Sequence, residues 1–171
     1  MRKSFSCFVF FLILLGATRG STQSQRGPST LEEREKALAD IDDLEKNPLG
    51  PDAIGERRWL TIWLIEVPDI HVGFCTDLIP GRPKGEKNDI ALISTQMMFS
   101  GARYAIKHPE TTSNDIAQYE AGVEGMLRMY EVLVQQKPAD RLRGLDELLQ
   151  KRADGTLSDY VKSQFAAHCK K

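Results

Sequence analysis

Between Pro68 and Asp77 the chain places Asp69, His71, Cys75 and Asp77 within nine positions, and all four are metal-ligand types. Asp69, His71 and Asp77 together could hold a cation or move a proton. Two features weigh against that chemistry. The spacing matches no closed zinc set, and Cys75 has a competing use, because a sulfur already in a disulfide is a poor ligand. No nucleophile is marked beside His71. A small exported metal-binding protein or enzyme working through the Asp69–Asp77 loop is therefore the alternative reading.

Other residue sets weaken in the same way. Met97, Met98, Met126 and Met129 would offer soft thioethers to Cu(I) from two helices, yet Met126 falls on an apolar seam, where methionine fills core space. Glu120 and Glu124 lie one turn apart, with Glu131 two turns beyond Glu124. A di-iron bundle needs Glu-x-x-His, which does not occur. These carboxylates read as a solvated face, with Arg128 as the i+4 ion-pair partner of Glu124. Gly81-Arg-Pro-Lys-Gly-Glu-Lys87 is one residue short of a phosphate loop and follows no strand. Gly-x-Ser-x-Gly and His-Glu-x-x-His are absent. The expectation is no catalytic residue and no cofactor. Trp59 and Trp63, four apart after Arg57-Arg58, suit a core; if that core opens a groove, Trp59, Trp63 and Tyr130 are the residues to line it for a ligand.

The first residues set an address. Met1-Arg2-Lys3 is basic, Phe8 to Leu15 is an unbroken apolar run, and Gly16 to Ser21 is small and polar. That is the order of a secretory signal peptide, with Thr18 and Gly20 preceding a cut after residue 20. The run is shorter than the 20 or so apolar residues of a membrane span, so membrane contact is expected only if the segment stays uncleaved. No cysteine follows Leu14-Leu15-Gly16-Ala17, which argues against a lipoprotein. Downstream only Cys75 and Cys169 remain, and an oxidising compartment lets them pair. The expected location is periplasmic or secreted.

The full chain of 171 residues carries 23 basic and 24 acidic side chains. Residues 1–20 hold Arg2, Lys3 and Arg19 and no acid, so the remainder has 20 against 24, a net charge of −4. Mixed sign with a slight acidic surplus excludes a general nucleic-acid role, which needs a basic face.

Helices must position whatever site exists. Residues 21–29 are polar with Gly and Pro and predict a loose tether; residues 30–171 are expected to form one domain. Thr30 and Glu33 match a capping box ahead of Leu31, Leu38, Ile41 and Leu44. A second helix from about 52 to 66 is apolar nearly all round from Trp59 to Ile65 and belongs mid-core. Val67 to Asn88 is one long irregular segment, in which residues 74–79 could supply a turn. A third helix covers about 89–107. A fourth, about 114–136, carries the seam Ile116, Tyr119, Val123, Met126, Tyr130 and Leu133, with Gly122 and Gly125 admitting another backbone closely. Pro138 opens a fifth, which Gly155 stops, and Thr156 with Asp159 caps a sixth reaching Cys169. The fold class is all-α, a single bundle of about six helices. The function this supports is an exported helical binding or interaction protein without catalysis, its partner a protein or small molecule.

Overall fold

The computed structural model describes residues 26–81 and 90–169. The chain is all-helical, with no strand among the described residues. The helices are α1 (Leu31–Lys46), α2 (Ala53–Glu66), α3 (Ile90–Lys107), α4 (Ile116–Gln136), α5 (Arg143–Ala153) and α6 (Leu157–Gln164). Short 3-10 turns cover Thr76–Leu78 and Pro138–Asp140, and α6 runs into a π turn over Phe165–Cys169.

Local chemistry sets most boundaries. The Thr30 hydroxyl accepts from Glu33 N at 3.2 Å, and the Glu33 carboxylate accepts from Thr30 N at 2.9 Å. This reciprocal pair satisfies two free amides at the start of α1. Gly155 has φ 72°, the left-handed value that closes α5. Gly155 N donates to Arg152 O and Thr156 N to Lys151 O, the two bonds of a Schellman ending. Pro138 opens only a 3-10 turn, so α5 starts at Arg143. Thr156 makes no side-chain cap on α6; its hydroxyl instead donates to Lys151 O.

The helices pack as two apolar clusters joined by α3. One gathers the inner faces of α3 to α6 around Met97, Met126, Met129, Tyr130 and Leu145. The other gathers α1, α2 and the far side of α3 around Ile41, Leu44, Leu60, Trp63 and Phe99. The expected seam of α4 is buried from Tyr119 to Leu133. Three of the four methionines lie in the first cluster and Met98 flanks the second, so they fill core on both sides of α3. The closest pairing is α3 against α4, and glycine makes it possible. A Cβ on Gly122 would fall 2.8 Å from Met97 O, and one on Gly125 would collide with Ser100 and Glu45.

A buried polar node sits at that crossing. Glu45 of α1 is 6 % exposed. Its carboxylate accepts from Ser100 Oγ at 2.8 Å, from Arg103 at 2.7 Å and from Arg128 Nε at 2.7 Å. Three helices therefore meet on one carboxylate. Arg128 thus turns away from the i+4 partner expected for it: Glu124 attracts it only at longer range, while Glu45 holds it directly.

The Cys75–Cys169 bridge is formed, with Cα atoms 5.7 Å apart. It ties the segment after α2 to the end of α6, where Phe165 also packs on Tyr119, ring centroids 4.7 Å apart. The same segment is held across the start of α4 by Gln118, itself 1 % exposed. Its Nε2 donates to His71 O at 2.9 Å and its Oε1 accepts from Gly73 N at 2.6 Å. The residues from Val67 to Gly81 are thus irregular in conformation but fixed in place.

Candidate functional site

The candidate metal or acid–base set does not assemble. Asp69 is committed to the N-terminal arm: it accepts from Ser29 N, Ser29 Oγ and Arg34 Nη2, each at 2.7 Å. His71 contributes its carbonyl to Gln118 while its side chain lies exposed, and Asp77 is exposed on the following 3-10 turn. Among the described residues no three His, Cys, Asp or Glu side chains come together closely enough to hold a metal. The Gly81–Lys87 stretch lies outside the described residues beyond Gly81.

Desolvation would raise the Asp69 carboxyl, but the Ser29 hydroxyl and amide and the Arg34 guanidinium outweigh it and hold the group below the usual range. A carboxyl lowered on folding contributes stability above its unfolded pKa and loses it as pH falls through the folded value. In that window the unfolded chain binds more protons, so stability rises with pH. Asp69→Asn is expected to flatten this part of the acid limb, below about pH 4. Urea midpoints measured across that range check it; equal acid sensitivity in both proteins would mean the clamp carries no linkage.

The same clamp corrects the expectation of a loose tether for its described part. Arg26 pairs with Glu33 and, at 3.3 Å, with Glu66, so residues 26–30 are laid against the ends of α1 and α2.

Trp59 and Trp63 do come together. Their rings stack at 5.6 Å between centroids, with Lys36 Nζ 4.3 Å over Trp59. Trp63 is buried and Trp59 half-buried. With Arg26, Glu33, Ile62 and Glu66 they line a pocket of about 280 Å³. The Thr30 amide holds the Glu33 carboxyl down; burial opposes this, and Arg26 and the Trp63 indole assist. Tyr130 is not part of this pocket. It has no exposed surface and belongs to the other cluster, where its hydroxyl accepts from Leu142 N at 2.7 Å and caps α5.

Helix α2 lies elsewhere than expected. It packs chiefly on α1 at the edge of the bundle, not in the middle of the core. Leu60 and Trp63 face inward, so a helix whose Trp59–Ile65 half is apolar nearly all round must leave hydrophobic surface outside. Ile54, Ile62 and Ile65 are 73 %, 49 % and 79 % exposed. Together they present on the order of 300 Å² of apolar surface, the size of the largest and often functional patch on a monomer. Nothing in residue types announces this face; an apolar helix of low amphipathicity next to a capped, polar α1 is the only signal.

A second concavity, a cleft of about 590 Å³, separates the end of α1 from α4 and α5. Its cations are mostly engaged: Arg128 with Glu45 and Arg141 with Asp146. Glu131 on its wall is likewise paired, with Arg152. On α1 and α2, burial and the neighbouring carboxylates of Asp43, Asp40 and Asp52 push the Glu56 carboxyl up, against the pull of Lys36.

Among the described residues, fold and surface define a small all-helical bundle that offers an apolar helix face. Comparison of the chain with protein families, curated proteins and solved structures finds no match. No described helix is long and apolar enough to cross a membrane.

Proposed function

We propose that the chain is an exported binding module that acts through the outer face of α2, without catalysis of its own. One observation carries the reading: three exposed isoleucines share that face. Exposing them costs solvation free energy, about 25 cal/mol per Å², with no return inside the isolated chain. A partner that covers them supplies the return. The order of the first 20 residues and the Cys75–Cys169 bridge support an oxidising compartment outside the cytosol.

A photo-reactive residue placed at Ile62 and irradiated in the chain's own cells tests this. Covalent adducts are expected at Ile62 and not at Arg143, whose side chain is 93 % exposed at the start of α5. No adduct at Ile62 overturns the reading. Intact mass of the same isolated chain tests its address, with loss of about 20 N-terminal residues expected.

A further inference from the structure

We propose that the occupant of the α2 face is a second copy of this chain, docked antiparallel about a two-fold axis near Ile62. The inference rests on the interaction role assigned above and names its partner. Ile54, Arg58, Ile62 and Glu66 stand four apart and form one ridge on the outside of α2. Arg58 is exposed and makes no hydrogen bond or ion pair among the described residues. Among the described residues Glu66 pairs with Arg26 alone, at 3.3 Å, and its side chain is 55 % exposed. From Arg58 onward the ridge reads positive, apolar, negative, with Ile62 at the centre of these three and Ile54 one turn beyond them, outside the paired stretch.

That order makes the ridge its own complement. In an antiparallel pair centred on Ile62, Arg58 of each copy lies level with Glu66 of the other. The two Ile62 side chains meet between these two ion pairs. Ile65 of each copy comes level with Trp59 of the other, beside the pocket that Trp59, Ile62 and Glu66 line. A parallel pair would instead oppose Arg58 to Arg58 and Glu66 to Glu66. Such a self-complementary patch is what an isologous two-fold interface requires.

Other occupants fit the charges less well. An anionic lipid surface needs a basic surplus, and here Arg57 and Arg58 are balanced by Glu56 and Glu66 within α2, with Asp52 ahead of its first turn. The size of the face sets the strength. A 14-residue helix is about 21 Å long, and the patch falls well under the roughly 800 Å² per partner of a standard stable interface. The dimer is therefore weak and concentration-dependent.

Sedimentation equilibrium of the chain isolated from its own cells, at concentrations on the order of hundreds of micromolar for so small an interface, should show mass rising from monomer to dimer. Arg58→Glu alone and Glu66→Arg alone should each weaken the association about tenfold, by placing like charges opposite each other. The double variant Arg58→Glu with Glu66→Arg should restore it, because both ion pairs reform with reversed sign. Both sites are exposed, and circular dichroism checks that each variant keeps its fold. A monomer at every concentration, or no recovery in the double variant, overturns the dimer. The Ile62 cross-link then separates the two readings: adducts heavier than a monomer by something other than a second copy leave the binding role standing without the dimer. No adduct removes both.

Discussion

Reducing the Cys75–Cys169 bridge is expected to lower unfolding stability by roughly 4–5 kcal/mol by chain-entropy arguments, the largest effect of any single bond in the protein. The bridge spans 94 residues of sequence, so it removes many conformations from the unfolded chain. Its folded-state role is also plain. It fastens the irregular segment after α2 to the π turn behind α6, at the margin of the cluster that holds Tyr119, Leu157, Val161 and Phe165. Those apolar contacts survive reduction, so the reduced protein should still fold, but less stably. Small domains hold about 5–15 kcal/mol in total, and a loss of this size would leave little margin in a reducing compartment. Urea midpoints with and without reductant, and with Cys75→Ser and Cys169→Ser together, measure it. Identical midpoints for oxidised and reduced protein would show that the bridge constrains nothing.

Glu45→Ala is expected to cost about 3 kcal/mol, in the range for breaking one partner of a buried ion pair. The substitution removes one of the two carboxylates that hold Arg103, whose side chain is only 16 % exposed and keeps Asp42 at 2.6 Å, and it removes the acceptor of the Ser100 hydroxyl. Arg128 is 43 % exposed and regains water, which keeps the cost toward the low end of that range. Glu45→Gln retains an acceptor for Ser100 and should fall between wild type and alanine. The urea midpoint reads both variants. A double cycle with Arg128→Ala then gives the coupling of that pair apart from the rest. An alanine variant as stable as wild type would show that the node organises the crossing of α1, α3 and α4 without stabilising it.

Much of the fold is legible in residue order. The Thr30–Glu33 capping box, the left-handed Gly155, and the prolines at 48, 68, 109 and 138 act within a turn or two of themselves. The α4 seam is legible because alternating three- and four-residue spacing marks one buried face whatever lies opposite it. Gly122 and Gly125 announce a close approach, though not that Met97 and Ser100 make it. The disulfide is legible because only two cysteines lie beyond the first 20 residues, which leaves one pairing.

The candidate site was legible only in part. Trp59 and Trp63 stand four apart on one helix, so their stacking follows from local geometry. Tyr130 lies on a different helix, and its distance from them is a matter of packing. The cluster of Asp69, His71 and Asp77 was adjacent only along the chain: in an irregular segment neighbouring side chains diverge, and Ser29, Arg34 and Gln118 claim this one from far away in sequence.

Residue order by itself determined the all-helical class, most of the helix boundaries, the buried face of α4 and the cysteine pair, because each depends on short-range geometry or on composition. Tertiary structure alone decided that Glu45 gathers Arg103 and Arg128, that Asp69 clamps the N-terminal arm, and that α2 lies at the edge with its isoleucines outside. The physical reason is the same in each case. Periodicity identifies a core side only when the other side is polar, and from Trp59 to Ile65 α2 is apolar nearly all round, so only its neighbours could choose which face of that stretch to bury.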